Sequence, residues 1–392
     1  MDHSFDHLIV GGGMAAEAAA QAIRETDPQA TVGMIGAENH PPYNRPPLSK
    51  ALWKDAGENS IWRPVAASGA QLFLGRRVVS IDADAHAVSD DCGATYRYGK
   101  LLLATGGRAR RLPFEGDRVL AYRTLDDYHT LLALAERGAH VAVVGGGFIG
   151  TEIAAALTGH GCRVTLIFPE ATLGARTYPP GLSRFIEDGY RERGVAVCAG
   201  RRVEGGEQTG ERVALRLDDG SRLEADVAIA GLGIVPDTAL AEAAGAMIGN
   251  GILVDECMRT TVPDVFAAGD VANVPGQALG RRRIEHEDAA LSTGRIAGCA
   301  MAGRPEPYAA LPFFYSDLFD LGYEAVGMLD ARLEMVEDWS EPNREGVVYY
   351  LDQGRVRGVL LWNTWGQVDA ARALIGEIGP HSAASLRGRI RS

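Results

Sequence analysis

Only five cysteines occur in the 392 residues, Cys92, Cys162, Cys198, Cys257 and Cys299, and no two form a CxxC or CxxxxC pair. Such scatter argues for a reducing compartment, against a zinc site, and against a local redox-active disulfide. Long apolar runs are also missing: none reaches the length of a membrane span, so no membrane partner is expected. Lys and Arg number 39 against 51 Asp and Glu, a formal charge of −12. That balance disfavours nucleic acid as a general partner. The opening MDHSFDHLIV is acidic and enters an apolar strand directly, leaving no room for a signal peptide. A cytoplasmic enzyme is the expectation.

Glycine, by contrast, is abundant, with 49 residues, and two glycine motifs organise the chain. In VAVVGGGFIGTE, from Val141 to Glu152, an apolar run leads into Gly145-x-Gly147-x-x-Gly150 and then into the helix-like TEIAAAL. Strand, glycine turn and helix, in that order, are the context a dinucleotide fingerprint requires. The first glycine permits the turn, the second lets backbone approach a pyrophosphate, and the third lets helix and strand pack closely. The pyrophosphate is expected at the positive end of the helix. LIVGGGMAAEAAAQAI, from Leu8 to Ile23, repeats the pattern with Gly11, Gly13 and Ala16. Two such sites suggest two nucleotides brought face to face.

A carboxylate closes the strand after each fingerprint. Glu38 ends ATVGMIGAE and Glu170 ends CRVTLIFPE. Each is placed where a ribose-binding acid belongs, some ~20 residues or more past the glycines, although Glu38 is also readable as a solvated strand-end residue. A 2′-phosphate would be repelled by Glu170, so NADH is favoured over NADPH. Arg176, six positions on, weakens that preference. The proline-rich NHPPYNRPPLSKALW (39–53) cannot be a central strand or a helix interior. It reads as a rigid surface loop or as a stiff arm holding Arg45 and Lys50 over a nucleotide. LLLATGG reads as a buried strand ending in Thr105-Gly106-Gly107. VPDVFAAGDVA gives a strand followed by Asp270, either a helix cap or a carboxylate for a polyol chain. From about Leu311, alternating strands and a closing helix suggest a small α+β domain, with Arg387, Arg389 and Arg391 in a frayed tail.

Taken together, YNRPPLSKALW, VVGGGFIGTEIAA, VFAAGDVA, RRRIEHEDAALSTGRIAG and SDLFDLGYEAVG resemble the FAD-dependent pyridine-nucleotide oxidoreductases. The similarity is to the branch with ferredoxin and rubredoxin reductases and apoptosis-inducing factor. IFPE (167–170), Glu285-His286 and VLLWN resemble apoptosis-inducing factor more than the dioxygenase-linked reductases. The resemblance covers essentially the whole chain. It implies an α/β fold of two Rossmann-like domains plus a small C-terminal α+β domain. FAD binding is expected in 1–112 and 246–310, NADH binding in 113–245, and the C-terminal domain in 311–392.

The resemblance also implies roles. FAD would lie along Gly11, Gly13 and Ala16, with Glu38 on its adenosine ribose. Arg45 and Lys50 would approach its pyrophosphate and ring, Thr105, Gly106 and Arg110 its middle, and Asp270 its ribityl chain. The helix start at Glu287, Asp288 and Ala289 would lie near the flavin ring. NADH would use Gly145, Gly147, Ile149, Gly150 and Glu170, with Gly233, Glu285 and His286 on the nicotinamide side. Phe148 is either helix-packing core or an aromatic lid on the flavin. His286 is otherwise a satisfied packing histidine, and Phe314 and Tyr315 otherwise core.

Glu152 stands where the first fingerprint has Ala18. Placed in a helix's first turn, the macrodipole would keep it ionised, and it is otherwise simply a good N-terminal helix residue. In the family the matching Glu pairs with the matching Lys, here Lys50, beside the flavin. That pairing implies an electrostatic and orienting role rather than general-base work.

Two departures from the family pattern touch the ring edge. Glu287 replaces a frequent Trp, and Tyr315-Ser316-Asp317 replaces Trp-Ser-Asp, so acceptor specificity does not transfer. The expected activity is FAD-dependent transfer of electrons from NADH to a small iron–sulfur carrier, a ferredoxin or a rubredoxin. Such carriers are usually acidic, and only a local patch such as Arg281-Arg282-Arg283 could steer one to this acidic chain. The alternatives are an apoptosis-inducing-factor-like NADH oxidase and a redox sensor that forms a stable charge-transfer complex with NADH. A monomer and a homodimer fit the sequence equally.

Overall fold

The computed structural model describes residues 2–54 and 56–391. Its contacts divide the chain into two compact units. The first joins Met1–Arg45, Glu58–Arg108 and Val235–Pro312; the second joins Pro46–Gly57, Ala109–Ile234 and Phe313–Ser392. Arg45 and Lys50 therefore belong to different units, although the same proline-rich stretch carries both.

In the first unit, strand Asp2–Val10 is the centre. Parallel neighbours Val32–Ile35 and Thr95–Leu103 flank it, with Gln71–Phe73 and Val265–Ala267 beyond them. Leu8, Ile9, Leu101 and Leu102 are completely buried, as expected of parallel strands covered on both faces. A hairpin of Val78–Asp82 and Ala87–Asp90 continues antiparallel from Thr95–Leu103. Helix Met14–Thr26 is Ala-rich because helix Glu287–Met301 crosses it at close range. A Cβ on Gly294 or Gly298 would meet the Ala15 or Ala19 carbonyl oxygen at 2.3 Å.

The second unit repeats the plan. Parallel strands Ala196–Ala199, Arg163–Phe168, His140–Val144, Val227–Ala230 and Val119–Leu120 lie in that order. Helices Leu125–Ala135, Phe148–Gly159 and Pro180–Glu192 accompany them. A three-stranded meander, 203–225, covers the sheet's apolar residues with Val213 and Leu215. The C-terminal part is a five-stranded antiparallel sheet closed by helix Val368–Gly376. Tyr323, Tyr349, Tyr350 and Trp362 are wholly buried there. The α/β class with a C-terminal α+β portion agrees with the sequence.

The tail does not fray. Leu386 and Ile390 are buried, and Asp338 accepts the Gly388 amide at 2.7 Å. Arg391 lies 3.5 Å from Asp338, and Arg389 pairs with Glu377. Apolar residues between the arginines anchor what their charge alone suggested was loose. No helix among the described residues is long and apolar enough to cross a membrane.

Candidate functional site

Each glycine turn has the geometry its spacing implied. Gly11 (φ +132°) and Gly145 (φ +117°) adopt backbone that disfavours side chains, and a Cβ there would lie 2.1 Å from Ala104 O or 2.3 Å from Gly231 O. The third position is equally tight. Ala16 is fully buried, and a Cβ on Gly150 would sit 1.9 Å from Gly145 O. The middle glycines differ: at Gly13 and Gly147 nothing lies within 4 Å of an added Cβ. Both are also the N-caps of their helices, with no side chain capping the first-turn amides. Open space in front of unsatisfied N–H groups suits a pyrophosphate, so the residues present fit a dinucleotide in each unit.

In the first unit the Glu38 carboxylate is already held. Tyr43 donates to Oε2 at 2.7 Å and Arg45 to Oε1 at 2.5 Å. Thr105 Oγ1 donates to Asp237 O at 2.8 Å, and the Asp237 amide donates to Gly106 O at 3.0 Å. This holds Gly106 at φ +62°. Asp270 is no helix cap: it sits inside a single 3₁₀ turn, Gly269–Val271, after a short strand. Its carboxylate acts electrostatically on Arg45 and His286. Burial pushes His286 down to about 4 against the pull of Asp270, so its imidazole is neutral at pH 7.

His286 is the N-cap of helix Glu287–Met301, again without a side-chain cap bond. Glu287 and Asp288 lie in the first turn and Ala289 is buried behind them. Glu285 pairs with Arg283 at 2.6 Å. The arginine triplet also makes bonds within the fold. Arg281 donates to Val254 O and Asn273 O, Arg282 to Leu279 O, and Arg283 to Asp270 O.

In the second unit Glu170 pairs with the exposed Arg176 at 2.5 Å. Gly233 (φ +78°) receives the Arg110 amide on its carbonyl at 2.9 Å. Phe148 and Ile149 open the fingerprint helix and are 37% and 44% exposed, which corrects the reading of Phe148 as core. Its ring lies 5.3 Å from that of Phe314. Phe314 and Tyr315 are only half-buried.

Lys50 and Glu152 meet in this unit. Nζ lies 2.6 Å from Oε2, with the two side chains 9% and 2% exposed. Glu152 is in the second turn of helix Phe148–Gly159, not the first. A macrodipole falls off within one turn, so the carboxylate is held by its direct donors: Lys50, Ser49 and Ser316. The Lys50 ammonium has three N–H groups, and Glu152 is its only hydrogen-bond acceptor among the described residues. It lies 5.2 Å over the Tyr315 ring. A charged group this buried with donors to spare suits an acceptor supplied by a ligand. Tyr122 and Trp53 both donate to Leu48 O, and Tyr128 to Leu52 O, so three aromatic side chains fix the short turns that carry Lys50.

Sequence reasoning missed several of these partners. Tyr43 could have been found, lying between Glu38 and Arg45. Ser316, Tyr122 and Tyr128 carry no spacing signal, because tertiary packing alone brings them to their partners. It also missed Glu17, a fully buried carboxylate in helix Met14–Thr26 that pairs with Arg63 at 2.5 Å. The first fingerprint helix thus has an internal acid too, bound to a different cation.

The 5,5′-dehydrodivanillate O-demethylase ferredoxin reductase subunit of Sphingobium sp. is 39% identical over 95% of this chain and 93% of its own. Apoptosis-inducing factor 1 of Dictyostelium discoideum is 33% identical over 95% of this chain and 78% of its own. Among solved structures, the ferredoxin reductase for the CYP199A2 system of Rhodopseudomonas palustris superimposes with a TM-score of 0.88 at 31% identity. That match covers 97% of this chain and 98% of the other. The profile of the pyridine nucleotide-disulphide oxidoreductases matches residues 5–294, three quarters of the chain. All five cysteines are free, so they form none of the disulphides that name refers to. With two glycine turns, their open middle positions and this breadth of similarity, the chain belongs to the pyridine nucleotide-disulphide oxidoreductase family.

Proposed function

We propose that this protein is an FAD-dependent NADH oxidoreductase that passes electrons to a small iron–sulfur carrier of the ferredoxin or rubredoxin type. One observation carries the reading: each unit presents a glycine turn open at its middle position, in a chain 39% identical to a ferredoxin reductase subunit. FAD supplies the chemistry when bound, accepting two electrons as hydride and releasing them singly. It is held by Gly11, Gly13, Ala16, Glu38, Arg45, Thr105, Gly106, Arg110, Asp270 and the helix start at Glu287, Asp288 and Ala289. Gly145, Gly147, Phe148, Ile149, Gly150 and Glu170 hold NADH, with Gly233, Glu285 and His286 toward the nicotinamide. The FAD-binding portion is then 1–112 with 246–310, the NADH-binding portion 113–245, and the C-terminal domain 311–392.

The chain's own contribution is positional and electrostatic. The uncapped first-turn amides that follow Gly13 and Gly147 bind pyrophosphate. Lys50, aimed by Glu152, offers positive charge to electron density arriving on the cofactor. Neutral His286 donates or accepts one hydrogen bond without adding charge. Phe148, exposed at its helix tip, is the aromatic surface free to cover or uncover a ring.

Anaerobic stopped-flow mixing of the FAD-loaded protein with NADH, followed by a ferredoxin or by oxygen, tests the reading. Rapid bleaching with prompt reoxidation by ferredoxin alone is expected. Slow bleaching to a persistent long-wavelength band would instead identify an NADH oxidase or sensor. The likeness to apoptosis-inducing factor and the internal engagement of Arg281, Arg282 and Arg283 are the observations on that side.

A further inference from the structure

Glu152 is held by more than Lys50. Oε2 accepts Lys50 Nζ and Ser49 Oγ, each at 2.6 Å, and Oε1 accepts Ser316 Oγ at 2.7 Å. Ser316 is 1% exposed, in strand Phe313–Leu318. Directly across the hairpin from it stands Tyr323, whose hydroxyl accepts that of Tyr178 at 3.0 Å. A serine has a single proton, and Ser316 gives it to the carboxylate.

Four ionisable groups face Glu152: Lys50, Tyr178, Tyr323 and Tyr190, the last donating to Thr151 O. Burial pushes all three tyrosine hydroxyls up, so they remain neutral donors. Lys50 is the one cation of the set.

We infer that Ser316 is a positioning residue that holds the Glu152 carboxylate with Oε2 turned to Lys50. The inference rests on the proposed function, in which the Lys50 charge serves the cofactor. Without the Ser316 hydroxyl, Oε1 has no donor among the described residues, and only the bonds of Ser49 and Lys50 to Oε2 orient the carboxylate.

The test uses FAD-loaded S316A, S316T, K50M and Y349F as full chains. Flavin midpoint potential and the rate of anaerobic reduction by NADH are read from about pH 6 to 9. S316A is expected to change both the midpoint potential and the reduction rate. Its limiting rate should fall about tenfold with little change in the half-saturating NADH concentration, as for loss of an interaction made in the transition state. S316T keeps the hydroxyl and should restore both. Y349F should behave as the parent, since the Tyr349 hydroxyl accepts only the Ile390 amide of the tail. If K50M alters potential and rate but S316A matches the parent, this inference fails alone. If K50M also matches the parent, the role proposed for Lys50 fails with it. Equal changes in S316A and Y349F would mean general loosening of the sheet and would also overturn the inference.

Discussion

At the scale of single residues, fixed partners decide protonation and charge. Glu152 and Lys50 are a desolvated ion pair, and removing one member leaves the other's charge uncompensated. Glu152→Gln is expected to cost about 3 kcal/mol in urea unfolding and to slow NADH-driven reduction about 100-fold. Unchanged kinetics would remove Glu152 from the mechanism. Glu170 argues differently, because its carboxylate is shared with exposed Arg176. Glu170→Ser should leave that arginine to a 2′-phosphate and raise the NADPH-to-NADH ratio of kcat/KM by about tenfold, the scale of one lost repulsion. His140 is fixed in one tautomer: Arg163 can only donate, so Nδ1 accepts at 2.6 Å and Nε2–H donates to Thr165 at 2.8 Å.

At the scale of elements, close backbone approach explains small residues better than propensity does. Gly294 lies in mid-helix, where glycine costs helix stability relative to alanine by roughly 0.5–1 kcal/mol. It is retained because its Cβ would strike Ala15 O at 2.3 Å. Gly294→Val should therefore destabilise by about 1–3 kcal/mol, read as a lower urea midpoint. A variant as stable as the parent would show that the two helices do not depend on this contact. The fingerprint helices follow the same logic at their starts, where Gly13 and Gly147 leave open what a side chain would fill.

For the whole molecule, stability should depend on pH through its buried histidines. Burial pushes both His7 and His140 down, helped by Lys100 in the first case and Arg163 in the second. Each folded-state value lies below its unfolded value near 6.5, so below that pH the unfolded chain binds more protons. Stability is then fully present above about pH 6.5 and lost as pH falls toward the folded values. Tm measured from about pH 8 down to 5 should hold and then drop, and His140→Gln should flatten part of the drop. A Tm that rises on acidification would contradict it.

What the sequence by itself determined was everything written in local order. Strand, glycine turn and helix are consecutive, so both fingerprints, the α/β class and the strand-end carboxylates Glu38 and Glu170 were legible from spacing. The Lys50–Glu152 pair was legible only through resemblance, because 102 positions separate the two. What only the tertiary structure decided were contacts between distant segments: Ser316 on Glu152, the tyrosines that hold the Lys50 turn, the tail closed over by Ile390, and the arginine triplet spent on backbone carbonyls. Periodicity reports which face of an element is buried, but it carries no term for which distant donor will meet a buried charge. That choice is made when desolvation leaves each polar group only the partners the packing brings within reach.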